Sequence, residues 1–258
     1  MTSARNTSKR SGQVKFKPES ISVWISPHIL KLSPGVVARY AGGSQYKMDR
    51  KMETLTATLL KSTERLVNSA FVYAIYPIKG VDSERGASLQ NGTFFKLPPE
   101  EQDPDIVHLV TSVCTLGPDL EVKVSQLMSQ GNALQATLMD AAGVALLESL
   151  AQKAYEHLRQ EAGKLGLHAG CRFGPGYGIM PLDTQHRLFE LIDATVIGVQ
   201  INESGVMFPM KSLSFWVRWT RSRRPNDRNR HKCLACDLKG CAFRVTPDSS
   251  ARQRTKSG

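Results

Sequence analysis

The sequence predicts an α+β fold, on two observations. Five separate stretches have the alternating or continuously apolar, β-branched character of strands, and two long stretches repeat apolar residues at intervals of three and four. Taken in order, SISVWIS (20–26) alternates apolar and polar positions as a half-buried strand does. From 48 to 67, Met52, Leu55, Leu59, Leu60 and Leu66 mark one face of a helix. AFVYAIYPI (70–78) reads as a buried strand stopped by Pro77.

Residues 79–104 are rich in turn formers and predict a surface excursion with one short strand between 92 and 97. DIVHLVTSVCTLG (105–117) is a further strand, ended by Gly117 and Pro118. A short helix is expected over 119–129. The strongest helix runs over 134–165, with Gly166 as its stop. Within it Asp140 sits beside Ala141, Ala142 and Gly143, where a backbone or a ligand can approach closely. PLDTQHRLFELID (181–193) predicts a helix with Asp183 as N-cap, followed by strands over 194–202 and 211–219 joined by MFPM.

At 258 residues the chain is long enough to bury a full core, and its 41% apolar and 22% charged composition is that of a globular protein. No run of about 18 apolar residues lacks a charge, and the basic N-terminus has no apolar segment after it, so neither a membrane span nor a secretory signal is expected. The expectation is a cytoplasmic protein. The formal charge of +11 is unevenly spread: +4 over residues 1–19, +9 over 218–258, and −2 over 20–217. That division predicts a basic leader (1–19), a folded domain (20–217) and a basic, Cys-rich tail (218–258). A nucleic-acid-binding core would carry its basic residues on the folded part, so nucleic acid is a poor match for the core.

The five cysteines fall as Cys114 and Cys171 alone and Cys233, Cys236 and Cys241 together, an odd count that argues against a disulfide framework. The C-x2-C-x4-C spacing suits a metal, either zinc or an iron–sulfur cluster, with His231, Cys171, a partner's side chain or an open site in the fourth position. A redox-active or unliganded thiol set is the alternative.

CRFGPGYG (171–178) places Gly174, Gly176 and Gly178 around Pro175 and Tyr177, ahead of a helix. Its glycines let backbone amides approach a ligand, and Arg172 supplies a fork of donors suited to a carboxylate. The spacing matches no phosphate-cradling motif. His28, His168 and His186 are isolated, and no catalytic triad or carboxylate pair is evident.

Over about residues 39–215 the sequence resembles the activation (reactivation) domain of cobalamin-dependent methionine synthase, in a stand-alone form. The resemblance is carried by RYAGGSQYKMDRK onward, by NALQATLMDAAGVALLESLAQ, by the RxxxGY spacing from Arg172 to Tyr177, and by the ESxxMxP run from Glu203 to Pro209. It implies a twisted, mostly antiparallel sheet with long helices. It also implies an S-adenosylmethionine site at Arg172, Gly174, Gly176 and Tyr177, with Glu203 or Asp140 at the ligand's amine. An aromatic face at Tyr177 suits a sulfonium.

The implied role is that of an accessory to a corrinoid methyltransferase. It would support reductive remethylation of cobalamin on a partner, a methionine synthase core or another corrinoid protein, with an electron donor such as flavodoxin or ferredoxin. The sequence departs from the family after MxP: where SVSG is usual it has Ser212, Leu213, Ser214 and Phe215, which puts a bulky ring on that wall. A metal-binding interaction module, contacting nucleic acid or a partner protein through the basic tail, is the alternative reading.

Overall fold

The computed structural model describes residues 18–30, 32–176, 180–224 and 240–244. In chain order its elements are β1 (Ile21–Trp24), α1 (Pro34–Gly42), α2 (Arg50–Leu66), β2 (Ala70–Asp82), β3 (Gly86–Leu89), β4 (Phe94–Phe95), β5 (Ile106–Thr115), α3 (Asp119–Ser129), α4 (Ala133–Lys164), β6 (His168–Ala169), α5 (Thr184–Leu191), β7 (Gln200–Ile201), β8 (Met207–Phe208) and β9 (Ser212–Thr220). The expected α+β class holds. One antiparallel sheet runs β4-β3-β2-β5-β9-β6, with β1 also paired to β2, and β7 and β8 form a separate hairpin.

Alternation along the strands builds two cores, because successive side chains point to opposite faces. Phe71, Tyr73, Val110, Cys114, Phe215, Val217 and Trp219 face α4. Ala70, Val72, Ala74, Tyr76, Leu109, Val113 and Trp216 face α5 and a short 3-10 turn at Ala194–Ile197. The first layer is anchored by α4, whose Leu138, Leu146, Leu150 and Leu158 are all at most 2% exposed. By length and composition α4 would qualify as a membrane span, yet over half of its most apolar window is buried inside the domain.

Several elements differ from the sequence reading. Helix α1 was not expected; its signals are Pro34 at the first turn and Gly43 beyond the end, at φ +91°. Strand β2 runs past Pro77 to Asp82. Pro77 stays in register with His108 of β5, while its carbonyl accepts from Gln90 on the β3 side, so its missing N–H falls where β1 has already ended and just before a register shift.

The stretch 79–104 is no mere excursion, since Leu89, Phe95, Leu97 and Glu101 are buried. The strand expected over 194–202 is instead a 3-10 turn, opened by Asp193 accepting from the Thr195 amide at 3.1 Å and closed by left-handed Gly198, with only Gln200–Ile201 extended. MFPM is therefore not a connection but contains β8. Asp183 occupies the N-cap position of α5 without a side-chain hydrogen bond to it.

Residues 218–220, counted with the basic tail in the charge division, lie within β9. Arg218 is 2% exposed and donates to Glu101, itself 3% exposed, across 2.5 Å. An ion pair this deeply buried is sensitive to loss of either member. Glu101→Ala is expected to destabilise the domain by about 3–5 kcal/mol in urea denaturation, and adding Arg218→Met to recover much of that. A loss under about 1 kcal/mol for the single variant, or no recovery in the double, would show that the pair contributes little.

Candidate functional site

The arginine-glycine segment is fixed against the outer edge of β9. Beyond the short β6 pairing, the Gly170 amide donates to the Arg218 carbonyl at 2.9 Å, and Phe173 and Trp216 exchange backbone hydrogen bonds at 3.0 and 2.8 Å. The Tyr155 hydroxyl of α4 donates to the Gly170 carbonyl at 2.8 Å, tying the segment to the helix layer. Gly170 is required by space: a Cβ there would stand 2.7 Å from Nη1 of Arg218. Phe173 stacks on Trp216, ring centroids 4.8 Å apart and 18° from parallel.

Because Phe173 turns to the α5 face, Arg172 turns to the α4 face. Its guanidinium lies 5.4 Å above the Phe215 ring, and Nη2 pairs with the Glu148 carboxylate of α4. The Arg172 side chain is 10% exposed, that of Glu148 46%. Nη1 of Arg172 is buried without a hydrogen-bond partner among the described residues. The Phe215 ring is thus the platform under the arginine. Beneath the pair lies Cys114, fully buried, whose thiol is pushed up to about 12 mainly by that burial, with the Arg172 charge opposing it.

Gly174 and Pro175 are buried, and Gly176, exposed and at φ +76°, donates its amide to the Met180 carbonyl at 3.0 Å, closing the loop ahead of α5. Tyr177 lies outside the described residues, as do Cys233 and Cys236. Glu203 stands exposed in the turn of the β7–β8 hairpin, where Asn202 Oδ1 accepts from the Val206 amide at 2.9 Å. That hairpin rests on α5, with Gln185 Nε2 donating to the Gly205 carbonyl at 2.8 Å. Arg172, Gly174 and Gly176 therefore form one unit, and Glu203 belongs to the opposite layer.

A second polar group adjoins α4. Lys211 Nζ is 2.6 Å from Asp140 Oδ1, and the Lys211 amide donates to Glu121 Oε1 at 2.6 Å. The close approach foreseen at Ala141–Gly143 is made by Lys211 itself: a Cβ on Gly143 would lie 2.6 Å from Leu120 Cδ2 and 3.1 Å from Lys211 Cε. Glu148 and Lys211 were missed in the sequence. Glu148 had one signal, being the only acidic residue between Asp140 and Glu156. Lys211 had none.

Among the described residues no three His, Cys, Asp or Glu side chains converge as metal ligands. Cys241 is described, and it lies at the end of α1 in a cleft with Gly42, Gly43 and Ser44.

No protein-family model matches the chain, and no curated protein matches it significantly in sequence. Among solved structures it is similar to the MetH reactivation domain in a crystal structure bound to AdoHcy, with a TM-score of 0.54, 16% identity, and coverage of 81% of this chain and 80% of that one. At that identity the likeness is one of fold.

The geometry around Cys114 predicts its chemistry. With the thiol pushed to about 12 and no exposed surface, Cys114 is expected to resist iodoacetamide at pH 8 in the folded protein and to react fully in urea, as read by peptide mass mapping. Equal labelling rates in both states would contradict the buried placement.

Proposed function

We propose that this protein binds S-adenosylmethionine beside the Arg172 loop and supports the reductive activation of a corrinoid protein, such as a methionine synthase core. The observation that carries the reading is the placement of the Arg172–Gly176 unit on a fold similar to that of the MetH reactivation domain, whose structure is bound to AdoHcy.

The residues present suit such a ligand. Glu148 holds one side of the Arg172 guanidinium, and the buried Nη1 has no partner among the described residues, a donor chemically suited to a carboxylate oxygen. Gly174 and Gly176 keep side-chain bulk away from the loop, and Tyr177 is the proposed aromatic neighbour of the sulfonium. Neither acidic candidate for the ligand's amine stands beside Arg172: Asp140 is held by Lys211, and Glu203 lies in the β7–β8 turn of the opposite layer, so neither is proposed as that acid.

When bound on its partner, the corrinoid supplies the cobalt nucleophile, S-adenosylmethionine the methyl group, and an external donor such as flavodoxin or ferredoxin one electron. This chain's own part is to orient and enclose the methyl donor, which needs no side-chain nucleophile or general base. The role is that of an accessory protein. The C-x2-C-x4-C run is proposed to hold zinc or an iron–sulfur cluster, and an iron–sulfur cluster would suit electron delivery.

Isothermal titration with S-adenosylhomocysteine tests the site. Arg172→Ala is expected to weaken binding about 10- to 100-fold, the value of a charge-assisted hydrogen bond, and Glu203→Ala to leave it unchanged. Absence of binding by the unaltered protein, or an unchanged affinity in Arg172→Ala, would overturn the assignment.

A further inference from the structure

The charge division counts 218–258 as a basic tail, yet residues 240–244 pack on the folded domain. The Ser44 amide donates to the Ala242 carbonyl at 2.7 Å, a backbone contact across nearly two hundred residues of sequence. Phe243 stacks on Tyr40 of α1, centroids 6.4 Å apart and 25° from parallel. Tyr40 is itself fixed, with the Arg39 guanidinium 4.7 Å above its ring and Arg39 Nη2 donating to its hydroxyl at 2.8 Å.

The receiving side is shaped for this. Gly43 has φ +91°, and a Cβ on it would stand 2.9 Å from the Ala242 carbonyl oxygen, so glycine is needed both for the turn and for the approach of the incoming backbone. Its neighbour Gly42 has no room for a side chain either, since a Cβ would meet the Tyr46 ring at 2.5 Å. The Gly42-Gly43 doublet is the seat, and the cleft beside it, of about 350 Å³, is walled on one side by Cys241, Ala242 and Arg244.

This seat connects to the rest of the molecule through α1. Tyr40 and Ala41 pack on the cluster of Val37, Leu60, Ala141 and Ala142, which joins α1 and α2 to α4. Ala141 directly follows Asp140, the partner of Lys211. Two residues further along α4 lies Gly143, and the same helix carries Glu148, the partner of Arg172.

We propose that the 241–244 turn is a latch. Seated on the end of α1, it holds that helix against α4 and so supports the segment of α4 that carries Asp140 and Glu148 beside the candidate ligand site. Free energy that the seated turn contributes to the ordering of α1 is lost when it leaves, and by reciprocity ligand binding favours the seated state. The linkage to ligand rests on the function proposed above; the latch itself does not.

Hydrogen exchange at the Ser44 amide reads the latch directly, because its hydrogen bond goes to Ala242. The full chain is compared with Phe243→Ala and with a chain ending at Lys239. Ser44 is expected to exchange at least tenfold faster in both variants, with β5 amides unchanged as a check on global folding. S-adenosylhomocysteine is expected to bind at least threefold more weakly to both variants and to slow Ser44 exchange in the full chain. Equal Ser44 exchange in all three proteins would overturn the latch. Equal ligand affinities with faster Ser44 exchange would overturn the linkage. If the full chain does not bind the ligand, the proposed function fails, while Ser44 still decides the latch.

Discussion

The structure depends on covering strand β9 on both faces and along its outer edge. Trp216 and Trp219 are fully buried on opposite sides of it, and Phe215 and Val217 add to the α4 face. A strand buried on both faces requires layers above and below, and its outer edge would otherwise present unpaired amides and carbonyls. The segment after α4 supplies the pairing. Its hydrogen bonds at β6, Gly170 and Phe173 cap that edge, and Phe173 covers Trp216. Arg172 is where it is because its neighbours are needed as an edge strand.

Placing a guanidinium over a buried face calls for compensation, and the surroundings show how it is provided. Glu148 supplies the counter-charge, and the Phe215 ring supplies a π surface that a flat, weakly hydrated cation tolerates better than an ammonium would. The pair keeps one edge against half-exposed Glu148. Arg218, two strand positions from Trp216, uses the other solution: its carboxylate partner Glu101 is buried with it. The two ion pairs differ in the exposure of their acids, 46% for Glu148 and 3% for Glu101.

Much of this was legible in sequence because it rests on periodicity. The helices α2, α3 and α4 and the strands β1, β5 and β9 follow from runs of three-and-four or alternating apolar residues, and the loop from its glycines. What was not legible depends on partners distant in the chain. Pro77 ends a strand by local rules, but here its missing donor faces a gap between two neighbours of β2. Asp193 diverts an apolar, β-branched stretch into a 3-10 turn with a single side chain. Phe215 reads as a departure from a family pattern until Arg172 is seen above it. Lys211 looks like any lysine at a strand start, since neither Asp140 nor Glu121 is near it in sequence.

Helix α4 explains how such separate features share one frame. Its small residues each admit a different neighbour. Ala141 and Ala142 admit α1, Gly143 admits Leu120 and the stem of Lys211, and Ala151 and Ala154 lie against the sheet-side core. Between them stand the two carboxylates that meet cations from outside the helix, Asp140 for Lys211 and Glu148 for Arg172, eight residues and so about 12 Å apart along the axis. With alanines and a glycine at these positions, the edge loop, the strand that follows the hairpin and the end of α1 all come to bear on one rigid element. The chemistry proposed for this domain requires a ligand held in a fixed orientation, and a single buried helix that every contributing segment touches is a direct way to obtain it.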